Sequence, residues 1–152
     1  SEIDADSWDA VLETNLRSIH LVMRAALPAL EKSENASVVN VVSIEGHQPA
    51  RGHSHYSTSK AGLLMLTKSA ALEYADLGIR VNSVSPGLID DGNLKERWPE
   101  GLDRWLNSAP LGRVGDPKDI ADAVVFLSSP MASWVTGSDL VVDGGISTNA
   151  TW

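Results

Sequence analysis

The sequence of 152 residues contains no cysteine. That excludes disulfides, thiolate metal sites and a cysteine nucleophile together. A reducing, cytoplasmic setting fits the absence. Aromatic residues make up only 5% of the chain, and two of them are tyrosine. Positive charge is also scarce: 12 Lys and Arg stand against 20 Asp and Glu, a net charge of −8. A surface of that sign repels nucleic-acid phosphates and anionic lipid, so neither is an expected partner. No apolar run approaches the ~18 residues of a membrane span. No signal-peptide pattern opens the chain, which begins at Ser1 without Met. What is present is an ordinary globular balance, 43% hydrophobic and 21% charged, in a length that suits one domain with a real core.

The hydrophobic pattern alternates between two periods. Trp8, Leu12, Leu16, Ile19, Met23, Leu27 and Leu30 follow helical spacing, with Asp6 or Ser7 as the cap and Pro28 expected to loosen the last turns. Val38 to Val42 is too uniformly apolar for a half-exposed strand and predicts one buried on both faces of a parallel sheet. A second helix is expected from about Tyr56 to Leu77, closed by Gly78, and a second strand over Ile79 to Val84. Residues 88–115 carry Trp98 and Trp105 and predict an irregular excursion with short helical pieces. Asp116-Pro117 opens a further helix, and Leu140 to Val142 forms a third strand. Helix and strand alternate throughout, which predicts an α/β fold with parallel strands and right-handed crossovers. Ligands of such sheets sit at the carboxyl ends of the strands, here at Ser43, Pro86-Gly87 and Asp143-Gly144-Gly145.

Chemistry points to the same end. Tyr56 and Lys60 are four apart on a helix, so they share a face. A cation beside a phenol favours its ionised form and makes it a proton donor and acceptor near neutral pH. The same spacing also suits an amphipathic helix with a surface lysine. Ser43 stands 13 residues before Tyr56, either as a turn cap or as a donor to a substrate oxygen. Asn15 lies on the apolar stripe of the first helix, where its amide needs a partner: a backbone group or an ordered water.

These segments together resemble the short-chain dehydrogenase/reductase family almost from end to end. Asn15-Leu16, Ser43-Ile44-Glu45-Gly46, Tyr56-Ser57-Thr58-Ser59-Lys60, Arg80 to Gly87 and Asp143-Gly144-Gly145 match its motifs in residue and spacing. The resemblance implies that Tyr56 transfers a proton, Lys60 eases its ionisation and holds the nicotinamide ribose, Ser43 polarises the reacting oxygen, and Asn15 anchors a relay water. It implies that Pro86, Gly87 and Ile89 line the nicotinamide of NAD or NADP. It further implies an alcohol or carbonyl substrate and a homodimer or homotetramer.

Two features depart from the family pattern. Asp91 stands where the family places Thr beside the pyrophosphate, which predicts weakened cofactor affinity. The family's Gly-rich phosphate loop has no counterpart in this sequence. Residues 1–152 are therefore expected to form the carboxyl-terminal, catalytic portion of a Rossmann-type doubly wound sheet, with 88–115 as a substrate-covering excursion. A non-catalytic interaction module that keeps the subunit-pairing helices is the rival expectation. His47, His53 and His55 share one loop, but nothing fixes them as metal ligands, and no metal is expected.

Overall fold

The structure, a computed structural model, describes residues 2–149. Ser1 and residues 150–152 of the expected unit lie outside the described residues. The first helix runs in two α-helical stretches, α1 (Ala5–Leu12) and α2 (Ser18–Leu30), joined by one π-helical turn over Glu13–Arg17. Asp4, and not Asp6 or Ser7, is its cap: Asp4 is extended, and its carboxylate accepts from the Ser7 amide at 2.8 Å. Asp6 sits inside the first turn instead, where its charge faces the positive end of the helix dipole. Pro28 does not open the last turns, and the Glu31 amide still reaches the Leu27 carbonyl at 3.0 Å. Arg24, whose carbonyl loses its partner to the proline, is exposed, so water can satisfy it.

Three parallel strands follow the order β1 (Ser37–Val41), β2 (Arg80–Pro86), β3 (Asp139–Val142). Val41 pairs with Val84, and Val84 with Leu140. Within this chain the first strand has one neighbour and the second has two. Central β2 holds Val81 and Val84 at 0% exposure, whereas β1 lies at a sheet edge with Val41 49% exposed. Neighbours on both sides, not composition alone, set a strand's burial.

Helix α3 (Ser54–Glu73) begins two residues earlier than its spacing predicts and ends through a short turn at Gly78, whose φ of 71° suits glycine. Successive β2 side chains point to opposite faces. Val81 packs with Met23, Ala70 and Ala71 of α2 and α3. Val84 packs with Ala123 and Leu127 of α6 (Pro117–Ser128). Helices thus cover both faces of the sheet. Asp116 and Asp119 close a reciprocal cap on α6, with Pro117 in its first turn, as expected. The excursion folds into α4 (Leu94–Arg97) and α5 (Pro99–Ser108).

Two glycines set how closely the strand ends approach their neighbours. A Cβ on Gly46 would lie 3.1 Å from the Lys60 backbone, so this glycine lets the turn after Ser43 press onto α3. A Cβ on Gly87 would lie 2.9 Å from both Asp143 and the Trp105 ring. Gly87→Ala is expected to destabilise the fold by about 1–3 kcal/mol, because backbone on one side and a packed indole on the other must shift. Urea unfolding of the pair of proteins checks this, and an unchanged midpoint contradicts it.

Candidate active site

The first turn of α3 presents Tyr56 to a cavity of about 360 Å³ lined by Val11, Glu45, His53 and His55. The Lys60 ammonium lies over the Tyr56 ring, 5.6 Å from its centre. It also donates to the Val41 carbonyl at 3.1 Å, which ties α3 to the end of β1 two residues before Ser43. Lys60 is partly buried, and the lost hydration pushes its pKa down.

Asn15 falls within the π-helical turn. Its amide donates to the Ser59 hydroxyl at 3.1 Å, and that hydroxyl donates to the Tyr56 carbonyl at 2.7 Å. One partner of the amide is therefore a side-chain hydroxyl. Ser43 accepts from the Glu45 amide at 3.1 Å, so it does cap the turn over Ile44–Gly46. Accepting that bond leaves its own O–H free to donate. Asn15, Tyr56 and Lys60 thus form one connected group, with Ser43 on the adjoining strand end.

Pro86 and Gly87 end the neighbouring strand, and Gly87 donates to the Val142 carbonyl at 3.0 Å. Ile89 stands apart from Tyr56 and lines a separate cavity of about 310 Å³. It forms a parallel bridge with Gly115 through the flanking Leu88 carbonyl and Asp90 amide. In that geometry the amide and carbonyl of Ile89 itself point away from Gly115. An N–H and C=O offered side by side suit a carboxamide, and the two remaining ammonium protons of Lys60 suit a diol. The residues present therefore fit the nicotinamide and ribose of the cofactor that the family pattern implies.

Glu45, part of the segment after Ser43, takes a place that its sequence position does not specify. Its carboxylate accepts from Ser57 Oγ at 3.1 Å and contacts His53 Nδ1 at 3.1 Å. No fixed spacing marks this contact, because the loop from His47 to His53 folds back to make it. The His53 ring meets Tyr56 edge-on at 6.3 Å. His47 turns away to Asp139, at 2.8 Å. Among the described residues, no three His, Cys, Asp or Glu side chains gather closely enough to hold a metal ion.

A further cavity of about 540 Å³ shares Glu45 and His53 and is walled by Trp98 and Trp105. Asp91, the departure noted above, pairs with Arg97 at 3.0 Å and accepts from the Asn93 amide. Its charge is therefore partly compensated inside its own loop.

Residues 1–147 match the family model described as enoyl-(acyl carrier protein) reductase. A solved structure of an NADPH-bound short chain oxidoreductase from Pseudomonas aeruginosa PAO1, described as containing an atypical catalytic center, superposes with a TM-score of 0.88 at 35% identity, covering 98% of this chain and 60% of that one. The chain belongs to the short-chain dehydrogenase/reductase family. Curated members of the family are also similar. The (3R)-3-hydroxyacyl-CoA dehydrogenase of Canis lupus familiaris is 42% identical over 93% of this chain and 55% of its own length. The 3-oxoacyl-[acyl-carrier-protein] reductase FabG of Vibrio cholerae is 40% identical over 93% of this chain and 58% of its own. The 2,5-dichloro-2,5-cyclohexadiene-1,4-diol dehydrogenase LinX of Sphingobium indicum is 38% identical over 95% and 58%. The chain thus spans less than two thirds of the length of these relatives. The parallel strands of this chain, with helices on both faces, agree with the α/β architecture expected from the sequence. Among the described residues, no helix is long and apolar enough to cross a membrane.

Proposed function

We propose that these residues form the catalytic, carboxyl-terminal portion of an NAD(P)-dependent oxidoreductase that interconverts an alcohol and a carbonyl compound. The observation that carries this is the Lys60 ammonium held over the Tyr56 ring while Asn15 and Ser59 fix the backbone of that turn. Tyr56 gives its phenolic proton to the substrate oxygen during reduction and takes it back during oxidation. Ser43 donates a hydrogen bond to the same oxygen and keeps its proton. Lys60 stabilises the phenolate and, with its remaining N–H groups, holds the ribose. Asn15 is a positioning residue that acts through Ser59, and on this reading it also anchors a relay water. The Ile89 backbone orients the carboxamide, with Pro86 and Gly87 beside the ring. When bound, the nicotinamide supplies or accepts the hydride.

The exposed apolar residues Leu21 and Val22 on α2 and Met65 and Leu72 on α3 favour pairing with a second copy, as a homodimer or homotetramer. A cytoplasmic setting accords with the missing cysteines. The interaction-module alternative draws on the same helices but gives no role to the Tyr56–Lys60 geometry.

Residues 1–152 alone are expected to bind NADH and NADPH only weakly, since the sequence holds no Gly-rich loop for the pyrophosphate. Fluorescence titration checks this, and micromolar binding of either nucleotide contradicts it. In the complete enzyme, Asp91→Thr is expected to tighten cofactor binding by at most about 1 kcal/mol, because Arg97 already offsets the carboxylate. Weaker binding in that variant would mean that Asp91 helps through Arg97. The activity itself is tested by following nicotinamide absorbance in the complete enzyme with a panel of ketones. Absence of NADH and NADPH binding by the complete protein would favour the module.

A further inference from the structure

We propose that the cavity beneath α5 is a subsite for the oxyanion end, carboxylate or phosphate, of an aryl or acyl carbonyl substrate. The inference rests on the reaction centre at Tyr56 proposed above and names the class of compound that reaches it. The cavity adjoins the one at Tyr56 and shares two walls with it, Glu45 and His53. At about 540 Å³ it lies in the ordinary range for a small-molecule site.

Its wall joins aromatic surface to unpaired cation. Trp98 is 47% exposed. Its indole crosses α5 at Gly101, where a Cβ would stand 2.0 Å from the ring, so only glycine lets the ring lie there undisturbed. The Arg104 guanidinium sits 5.6 Å over the same ring, a cation–π contact that holds the charge at the wall. Arg51 lines the cavity from the loop before α3. Most arginines of this acidic chain are already engaged. Arg17 pairs with Glu13, Arg97 with Asp91 and Arg113 with Asp119, while Arg80 donates to main-chain carbonyls. Among the described residues, neither Arg51 nor Arg104 has a carboxylate partner. The one carboxylate in the cavity wall, Glu45, is occupied by Ser57 and His53. Two free guanidiniums beside an indole floor recognise a flat apolar body that ends in a planar or tetrahedral oxyanion.

The test uses the 152-residue chain and reads binding, not turnover, through tryptophan fluorescence quenching. The probes are the keto acid 3-benzoylpropionate, its neutral methyl ester, and phenacyl phosphate. At low salt, at least one anion is expected to bind at least about tenfold tighter than the ester, and the tighter of the two identifies the anion. Trp98→Phe should reduce the quenching, with Trp105 of the same wall supplying the remainder. The double variant Arg51→Gln with Arg104→Gln, both at exposed positions, should bind acid and ester alike while keeping its circular dichroism. Equal affinity for ester and anions, a preference that survives the double variant, or no binding of any probe overturns the proposal. Discrimination between acid and ester that persists when Tyr56→Phe proves fully active in the complete enzyme would instead overturn the catalytic reading and leave the subsite standing.

Discussion

Tyr56→Phe is expected to lower turnover of the complete enzyme by about 10²–10⁴-fold, the usual worth of a positioned acid or base. The substitution isolates the hydroxyl. The hydrogen bonds around this residue use its backbone: the amide donates to His55 Nδ1, and the carbonyl accepts from Ser59. Both survive the change, as do the ring contacts with Lys60 and His53. Thermal unfolding should therefore match the parent within a few tenths of a kcal/mol, as for other substitutions that break no contact. Retained turnover in a normally folded variant would show that another group moves the proton.

Lys60→Met should separate activity from stability. A unit charge 5.6 Å from the ring centre stabilises a phenolate by about 3 kcal/mol at an effective dielectric of ~20, before salt screening reduces it. Its loss slows the reaction by up to about 10²-fold. Stability should run the other way. Burial pushes the Lys60 pKa down, so the folded state binds fewer protons than the unfolded one between the lowered value and 10.5. Stability thus rises with pH across that window, and the buried charge costs stability below it. Methionine removes that cost, while the Val41 carbonyl, on a half-exposed residue, can turn to water. Unfolding at pH 7 should therefore show no loss of stability in Lys60→Met. A large loss would mean that the bond to Val41 outweighs the buried charge.

How much of this was legible follows from which contacts are local. The alternation of strands and helices, the cap at Asp116 and the turn at Gly78 all depend on residues within a few positions, and the sequence displays them. The i,i+4 placement of Tyr56 and Lys60 is of the same kind. The π-helical turn around Asn15 is not, because such a single wide turn inside a helix carries no residue pattern of its own. Asn15 meets Ser59 across 44 positions, and that contact exists only once α3 has packed beside the first helix. The sequence places Glu45 near the histidines, but its bonds to Ser57 of α3 and to His53 exist only once that loop has folded back onto α3.

The most direct measurement is the pH dependence of single-turnover hydride transfer, followed by nicotinamide absorbance in the complete enzyme and its Tyr56→Phe variant. The account predicts a rate of alcohol oxidation that climbs with pH in the parent. In the variant that climb should vanish and the rate at its plateau should fall by at least about 10²-fold. A variant that keeps both the climb and the rate would contradict the assignment of proton transfer to Tyr56.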